Sequence, residues 1–222
     1  MAEKRTQAVL FDFDGTLFFD TQKLNTWVFT QVLETMGLQP ATQEMINQTV
    51  GMKPREIAQL MTRSDDRTVQ DAFTAAETEL TVAYIARHVH RSESALKMLN
   101  TLKPHAKLAI CSNATAIYME KMMDRLELRS CFDEIWTYHQ GISKAQAIPR
   151  VMKLLGVQSA VFVGDRAEDV SSAHEAGIPV VGIRNDMFPY EVDGADRIVR
   201  DHEEMTKAIE ELLKESQRRT GP

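Results

Sequence analysis

Apolar residues gather in short unbroken runs at four places along this chain: Ala8–Phe11, Lys107–Cys111, Ala160–Val163 and Pro179–Ile183. Each is rich in Val, Ile, Leu or Phe and gives way to polar or glycine-containing turn residues, the pattern of strands buried on both faces of a parallel sheet. Glu134–Thr137 is a fifth, weaker candidate. Between these runs the period becomes helical. Ser92 is placed to cap a helix carrying Leu96, Leu99 and Leu102, and Ala114–Leu126 carries Ile117, Met122, Met123 and Leu126. Lys144–Leu155 stops at Gly156 and Glu168–Ala176 at Gly177. Pro149 must fall in the first turn of its helix or kink it. Glu203–Arg219 reads as an amphipathic closing helix with a frayed end. Strands alternating with helices predict an α/β fold, a doubly wound Rossmann-like parallel sheet with helices on both faces.

Residues 18–91 break that rhythm, with no convincing strand. Leu24, Val28, Val32 and Met36 recur every four residues up to Gly37. Val69, Phe73, Ala76, Leu80 and Ala83 mark a longer helix, and Pro54 can open a shorter one over Arg55–Met61. The expected organisation is therefore an α/β core domain formed by residues 1–17 and 92–222, with an inserted all-helical cap domain at 18–91.

In open parallel sheets ligands bind at the carboxyl ends of the strands, and the carboxylates of this chain sit at those ends. The first strand runs into Asp12-Phe13-Asp14-Gly15-Thr16-Leu17, where two carboxylates two residues apart can share a pocket and Gly15 permits a sharp turn. An EF-hand calcium loop is excluded, because its further oxygen ligands and its glutamate are missing. A later strand runs into Gly164-Asp165-Arg166-Ala167-Glu168-Asp169, which places Asp165 and Asp169 on one side of an opening helical turn. One Asp suffices as a helix cap, so the pair suggests more. Four carboxylates at one sheet edge would repel one another, and a hard dication such as Mg²⁺ would resolve the repulsion. Ser112-Asn113, at the end of another strand, offers a hydroxyl to an anion, and Lys144 at a helix start would offset negative charge near Asp12.

The ordered set Asp12-Phe-Asp14-Gly15-Thr16-Leu17, Ser112, Lys144 and Gly164-Asp165-x-x-x-Asp169 resembles the haloacid dehalogenase superfamily over nearly the whole chain. The helical insertion resembles the small cap of its phosphoglycolate-phosphatase-like branch. The resemblance implies a Mg²⁺-dependent phosphomonoester hydrolase of small phosphorylated metabolites. In that scheme Asp12 attacks phosphorus to give an aspartyl-phosphate, and Asp14 protonates the leaving oxygen and then activates water. Mg²⁺ would be held by Asp12, the Asp14 backbone carbonyl, Asp165 and Asp169. Ser112 and Lys144 would bind the phosphoryl oxygens, together with Asn113 and the backbone beyond Asp12 at Phe13 and Gly15. Lys53 or Arg55, in the cap segment Gly51–Arg55, either meets an anionic leaving group or is plain surface charge.

The chain departs from the family pattern in three places. One extra residue precedes Asp20, Arg166 follows the Gly-Asp pair, and the Lys144 segment lacks a following proline. Arg166 is left with two readings, reaching a substrate anion or pairing with Glu168. Asp14 disfavours carbon–halogen cleavage, where that residue is replaced. A sugar-phosphate mutase is the nearest rival, although Thr21-Gln-Lys-Leu-Asn25 lacks the histidine expected there. A catalytically idle binding protein is the third reading, and the intact Asp12 and Asp14 argue against it.

Charge and composition narrow the partners. The net charge is −6 and the basic residues are scattered, which disfavours nucleic acid. No run has the length of a membrane span, and the polar N-terminus does not resemble a signal peptide. Cys111 and Cys131 have no metal-ligand spacing and read as buried reduced thiols, and the six histidines likewise lack such spacing. A cytoplasmic monomer or homodimer acting on a small phosphate ester is expected.

Overall fold

The computed structural model describes residues 5–139, 141–186 and 188–220. The polar run ahead of the first strand begins in residues 1–4, outside the described residues. Six strands form one parallel sheet: β1 (Gln7–Phe11), β2 (Lys107–Cys111), β3 (Glu134–Trp136), β4 (Ser159–Gly164), β5 (Val180–Ile183) and β6 (Arg197–Val199), in the order β3-β2-β1-β4-β5-β6. All five pairings are parallel. The five expected strands are present to within a residue or two. The sixth, β6, was not anticipated, because it is three residues long, starts at an arginine and is half-exposed at the sheet edge. Such a strand carries no continuous apolar run.

Strand alternation divides the core in two. Val9, Phe11, Leu108, Ile110, Val161 and Val163 point to one face, and Ala8, Leu10, Ala109, Cys111, Ala160 and Phe162 to the other. The second face is covered by α7 (Lys144–Leu155) and α8 (Ala167–Glu175), through Ile148, Val151 and Ala173. The first is covered by α5 (Glu93–Leu102), α6 (Ala116–Leu126) and α9 (His202–Thr220). Local chemistry sets the ends of these helices. Ser92, Thr115 and Ser143 each accept a backbone N–H of the first turn, worth about 1 kcal/mol apiece. Gly156 closes α7 in the left-handed region at φ 65°. Pro149 lies in the interior of α7 rather than in its first turn. It leaves the carbonyl one turn back without its amide donor.

Between β1 and α5 come α1 (Thr21–Thr35), α2 (Gln43–Gln48), α3 (Pro54–Thr62) and α4 (Arg67–His88), with Pro54 at the first helical position as expected. The short α2 was not anticipated, since six residues are too few to show a period. Leu24, Val28, Phe29, Phe73 and Ile85 of this insertion join the cluster on the first face of the sheet. No helix among the described residues is long and apolar enough to cross a membrane. Both cysteines are free and buried, and burial pushes the Cys111 thiol up to about 12.

His202, the first residue of α9, ties three segments together. Its Nε2 lies 3.1 Å from the Thr16 carbonyl and its Nδ1 2.9 Å from Ser94 Oγ, while Phe19 stacks on the ring at 4.9 Å. A carbonyl only accepts, so Nε2 carries the proton. Burial lowers the imidazole pKa, with the Thr16 carbonyl and Asp201 pulling it back up. The unfolded chain therefore takes up this proton first as pH falls. The stabilisation is full above the unfolded value of about 6.5 and is lost as pH drops through the folded one. Urea unfolding at about pH 8 and pH 5 should show a smaller loss of midpoint for His202→Gln than for the unsubstituted protein; equal losses would remove His202 as the cause.

Candidate active site

The strand order reverses direction between β1 and β4, which both leave the sheet at the same edge and open a crevice there. β1 delivers Asp12 and β4 delivers Asp165, and Asp169 follows one helical turn into α8. One oxygen from each of these three buried carboxylates lies within 4.8 Å of the others. Gly15 stands in the left-handed region at φ 79°, and a Cβ on it would collide with the Asp165 carboxylate. A Cβ on Gly164 would collide with that of Asp169. Both glycines are needed for the carboxylates to pack this closely.

Lys144, 4% exposed, lies 3.3 Å from Asp12 Oδ1 and directly against Asp169 Oδ1. Burial disfavours its charge, but Asp12 and Asp169 outweigh burial and raise its pKa well above the usual lysine range. The other Asp169 oxygen accepts the backbone N–H groups of Asp165 and Arg166, at 3.1 and 3.0 Å. Asp169 is thus committed to holding Lys144 and the turn after β4. Asp12 is different: among the described residues neither of its oxygens has a hydrogen bond of full geometry, although the Phe13 backbone N–H acts on the carboxylate, and Asp165 Oδ1 has none. Burial pushes Asp12 up to about 7; Lys144 opposes the shift, while Asp169 and Asp14 add to it. Burial, then Asp169 and Asp12, push Asp165 well above the carboxylate range against Arg166 and Lys144. Crowded hard oxygens with lone pairs to spare suit a dication of the Mg²⁺ type, with Asp12 Oδ2 and Asp165 Oδ1 the atoms least engaged by the protein.

The Asp14 carboxylate stands apart from this trio. Its Oδ1 accepts hydroxyl hydrogens from Thr21 at 2.7 Å and Tyr118 at 2.6 Å. Burial raises its pKa, and these two bonds limit the rise. With two donors on Oδ1, a proton on this carboxyl belongs on Oδ2. Asp14 and Ser112 both line a cavity that runs up to the inserted helices.

The structure clusters Asp12, Asp165 and Asp169 with Lys144 against them, while Asp14 and Ser112 line one cavity and Ser112, Asn113 and Lys144 line another. The Phe13 ring is fully buried, stacked on Phe18 and edge-on to Tyr118, which leaves its backbone as the part able to meet an anion. Lys53 lies 3.9 Å from both Glu56 and Glu168, and Arg55 is exposed. Neither lines the cavity. Arg166 pairs with Glu191 rather than with Glu168, stacks on Phe188 and donates to the Val50 carbonyl. Asn113 donates to Glu168 and to the Gly51 carbonyl, at 3.0 and 3.1 Å. Two residues of the sheet edge thus grip the α2–α3 turn of the insertion.

Several residues at the site escaped the sequence reading. Tyr118 carries no motif, and Thr21 stood out only as the start of the Thr21–Asn25 segment; both meet Asp14 only in three dimensions. Asn185, which donates to Asp165 Oδ2 at 3.0 Å, was findable, since it sits just beyond the end of β5. The strand-exit rule that singled out Asp12 and Asp165 reaches it too.

Residues 9–183 match the family of haloacid dehalogenase-like hydrolases. A phosphoglycolate phosphatase of Agrobacterium fabrum is 26% identical, covering 92% of each chain. One from Pseudomonas putida is 28% identical over 79% of this chain and 68% of its own. Among solved structures, one described as a predicted phosphoglycolate phosphatase from Haemophilus somnus superposes with a TM-score of 0.81 at 18% identity, covering 90% of this chain and 96% of that one. A β-phosphoglucomutase from Clostridium difficile gives 0.78 at 16%, covering 94% and 97%. At such identities the structures establish the shared fold. The family match spans most of the chain and includes the segments that carry Asp12, Ser112, Lys144 and Asp165, so this protein belongs to the haloacid dehalogenase-like hydrolases.

Proposed function

We propose that this protein is a Mg²⁺-dependent phosphatase that hydrolyses small phosphomonoesters through a phosphorylated Asp12. The observation that carries the reading is Asp12 itself: buried at a strand exit, beside a buried lysine, with both oxygens lacking a directed hydrogen bond. The relatives named phosphoglycolate phosphatases support the reaction class.

Asp12 attacks phosphorus in line, forming a carboxylate O–P bond as the ester P–O bond breaks. Asp14 gives its Oδ2 proton to the departing alkoxide and later takes one from the water that cleaves the acyl phosphate. Tyr118 and Thr21 hold the Asp14 carboxyl in place and stabilise it once it is ionised. Lys144 and Ser112 bind the phosphoryl oxygens, and Asp169 fixes the Lys144 ammonium. Mg²⁺, held by Asp12 and Asp165 with Asn185 orienting the latter, would supply charge neutralisation at the phosphoryl group. Helices α1–α4 serve as a cap domain that excludes bulk water, with Arg166 and Asn113 holding it against the sheet edge.

The test is turnover of an aryl phosphate by the chelator-treated protein. Activity should be at least roughly a hundredfold lower without metal and return with Mg²⁺. Undiminished turnover in chelator, or none with Mg²⁺, would defeat the proposal.

A further inference from the structure

The cavity above Asp14 encloses about 80 Å³, room for a leaving group of a few heavy atoms. Asp14 and Ser112 stand at its inner end, and Leu24, Ile57 and Phe73 give it apolar walls. Apart from Asp14, the one ionisable carboxyl among the described lining residues is Glu77, from α4, and no Lys, Arg or His lines the space. Thr81 donates to Glu77 Oε1 at 3.2 Å, and no cation pairs with Glu77 among the described residues. Glu77 also acts electrostatically on the Tyr118 hydroxyl, which in turn holds Asp14, so the two carboxyls share one small space.

A leaving group bearing a second anion would enter a small cavity between two carboxyls with no Lys, Arg or His in its lining, and the hydroxyls and amide there, from Thr49, Thr74, Thr115 and Asn25, bring no formal charge to set against that repulsion. A group that donates a hydrogen bond would find Glu77 waiting. We infer that, as a refinement of the phosphatase reading on which it rests, this enzyme selects phosphomonoesters whose short leaving group presents a hydrogen-bond donor, an ammonium or a hydroxyl, to Glu77, and discriminates against carboxylate-bearing esters. Lys53, in the turn ahead of α3, does not relieve the imbalance, because it faces Glu56 and Glu168 and lies outside the cavity lining. Burial raises the Glu77 pKa, with the Thr81 and Thr78 hydroxyls opposing, and a donor or cation brought beside the carboxyl would favour its ionised form.

Three two-carbon esters of near-equal size test this in the Mg²⁺-loaded protein: 2-aminoethyl phosphate, 2-hydroxyethyl phosphate and phosphoglycolate. The expected kcat/KM of phosphoglycolate is at least tenfold below the better of the other two, and the order of those two tells ammonium from hydroxyl. Glu77→Gln, with folding checked by thermal unfolding, should shrink the ratio of the better ester to phosphoglycolate at least tenfold. Phosphoglycolate equal or ahead, a ratio unmoved by Glu77→Gln, or an aryl phosphate cleaved while all three esters are refused would each overturn this inference and leave the phosphatase reading standing. No turnover of any ester, the aryl phosphate included, would overturn both.

Discussion

Asp12→Asn should abolish turnover of an aryl phosphate, by at least roughly 10³-fold in kcat at saturating Mg²⁺, while leaving the protein folded. The amide is nearly the same size as the carboxylate but cannot attack phosphorus as an anion. The fold should tolerate the change for a local reason: Lys144 keeps Asp169 as its direct partner, and one of several crowded negative charges disappears. Weaker metal binding alone could also slow the variant, so the decisive reading is covalent. Rapid acid quenching followed by peptide mass measurement should find a phosphate on the Asp12 peptide of the unsubstituted protein and none on the variant. A variant retaining more than a tenth of the activity would exclude Asp12 as the nucleophile.

Lys144→Met should have the largest effect on stability. The side chain is almost wholly buried, and its ammonium is the cation that touches both Asp12 and Asp169. Methionine fills similar space and leaves those carboxylates facing each other with no counter-charge. Removing one partner from a buried ion pair costs about 3–5 kcal/mol, because the desolvated charge left behind is uncompensated. Urea unfolding in chelator should show a loss of that order. Mg²⁺ should recover part of it, since a dication bound to the folded state alone shifts the equilibrium by mass action. An unchanged unfolding midpoint in chelator would mean that Lys144 does not carry the electrostatic balance of the site. Activity should fall as well, and Mg²⁺ should not restore it fully, because the phosphoryl group loses a ligand that the metal does not replace.

Both expectations depend on a site whose parts were unequally visible in the chain. The apolar runs ending at Phe11 and Val163 were legible because a strand buried on both faces has no polar alternate positions, so its end is marked by the first charged residue. That rule placed Asp12 and Asp165 at strand exits before any coordinates. The capping serine of α5, the glycine closing α7 and the proline opening α3 were legible for a similar reason, since each answers a backbone requirement within a turn of itself. β6 and α2 were not, being too short to show a period.

The sequence by itself determined the alternation of strands and helices, the helical insertion, and the identity of the acidic and basic residues at the strand ends. Those properties are local, encoded in hydrophobic period and in turn chemistry a few residues wide. Only the tertiary structure decided how the residues divide their work. It committed both Asp169 oxygens to Lys144 and the backbone while leaving those of Asp12 without directed bonds. It set Tyr118 and Thr21 on one oxygen of Asp14, turned Arg166 to Glu191 and the insertion, and placed Glu77 over the cavity. These relations join segments far apart in the chain, and they follow from strand order and helix packing, which no spacing along the sequence records.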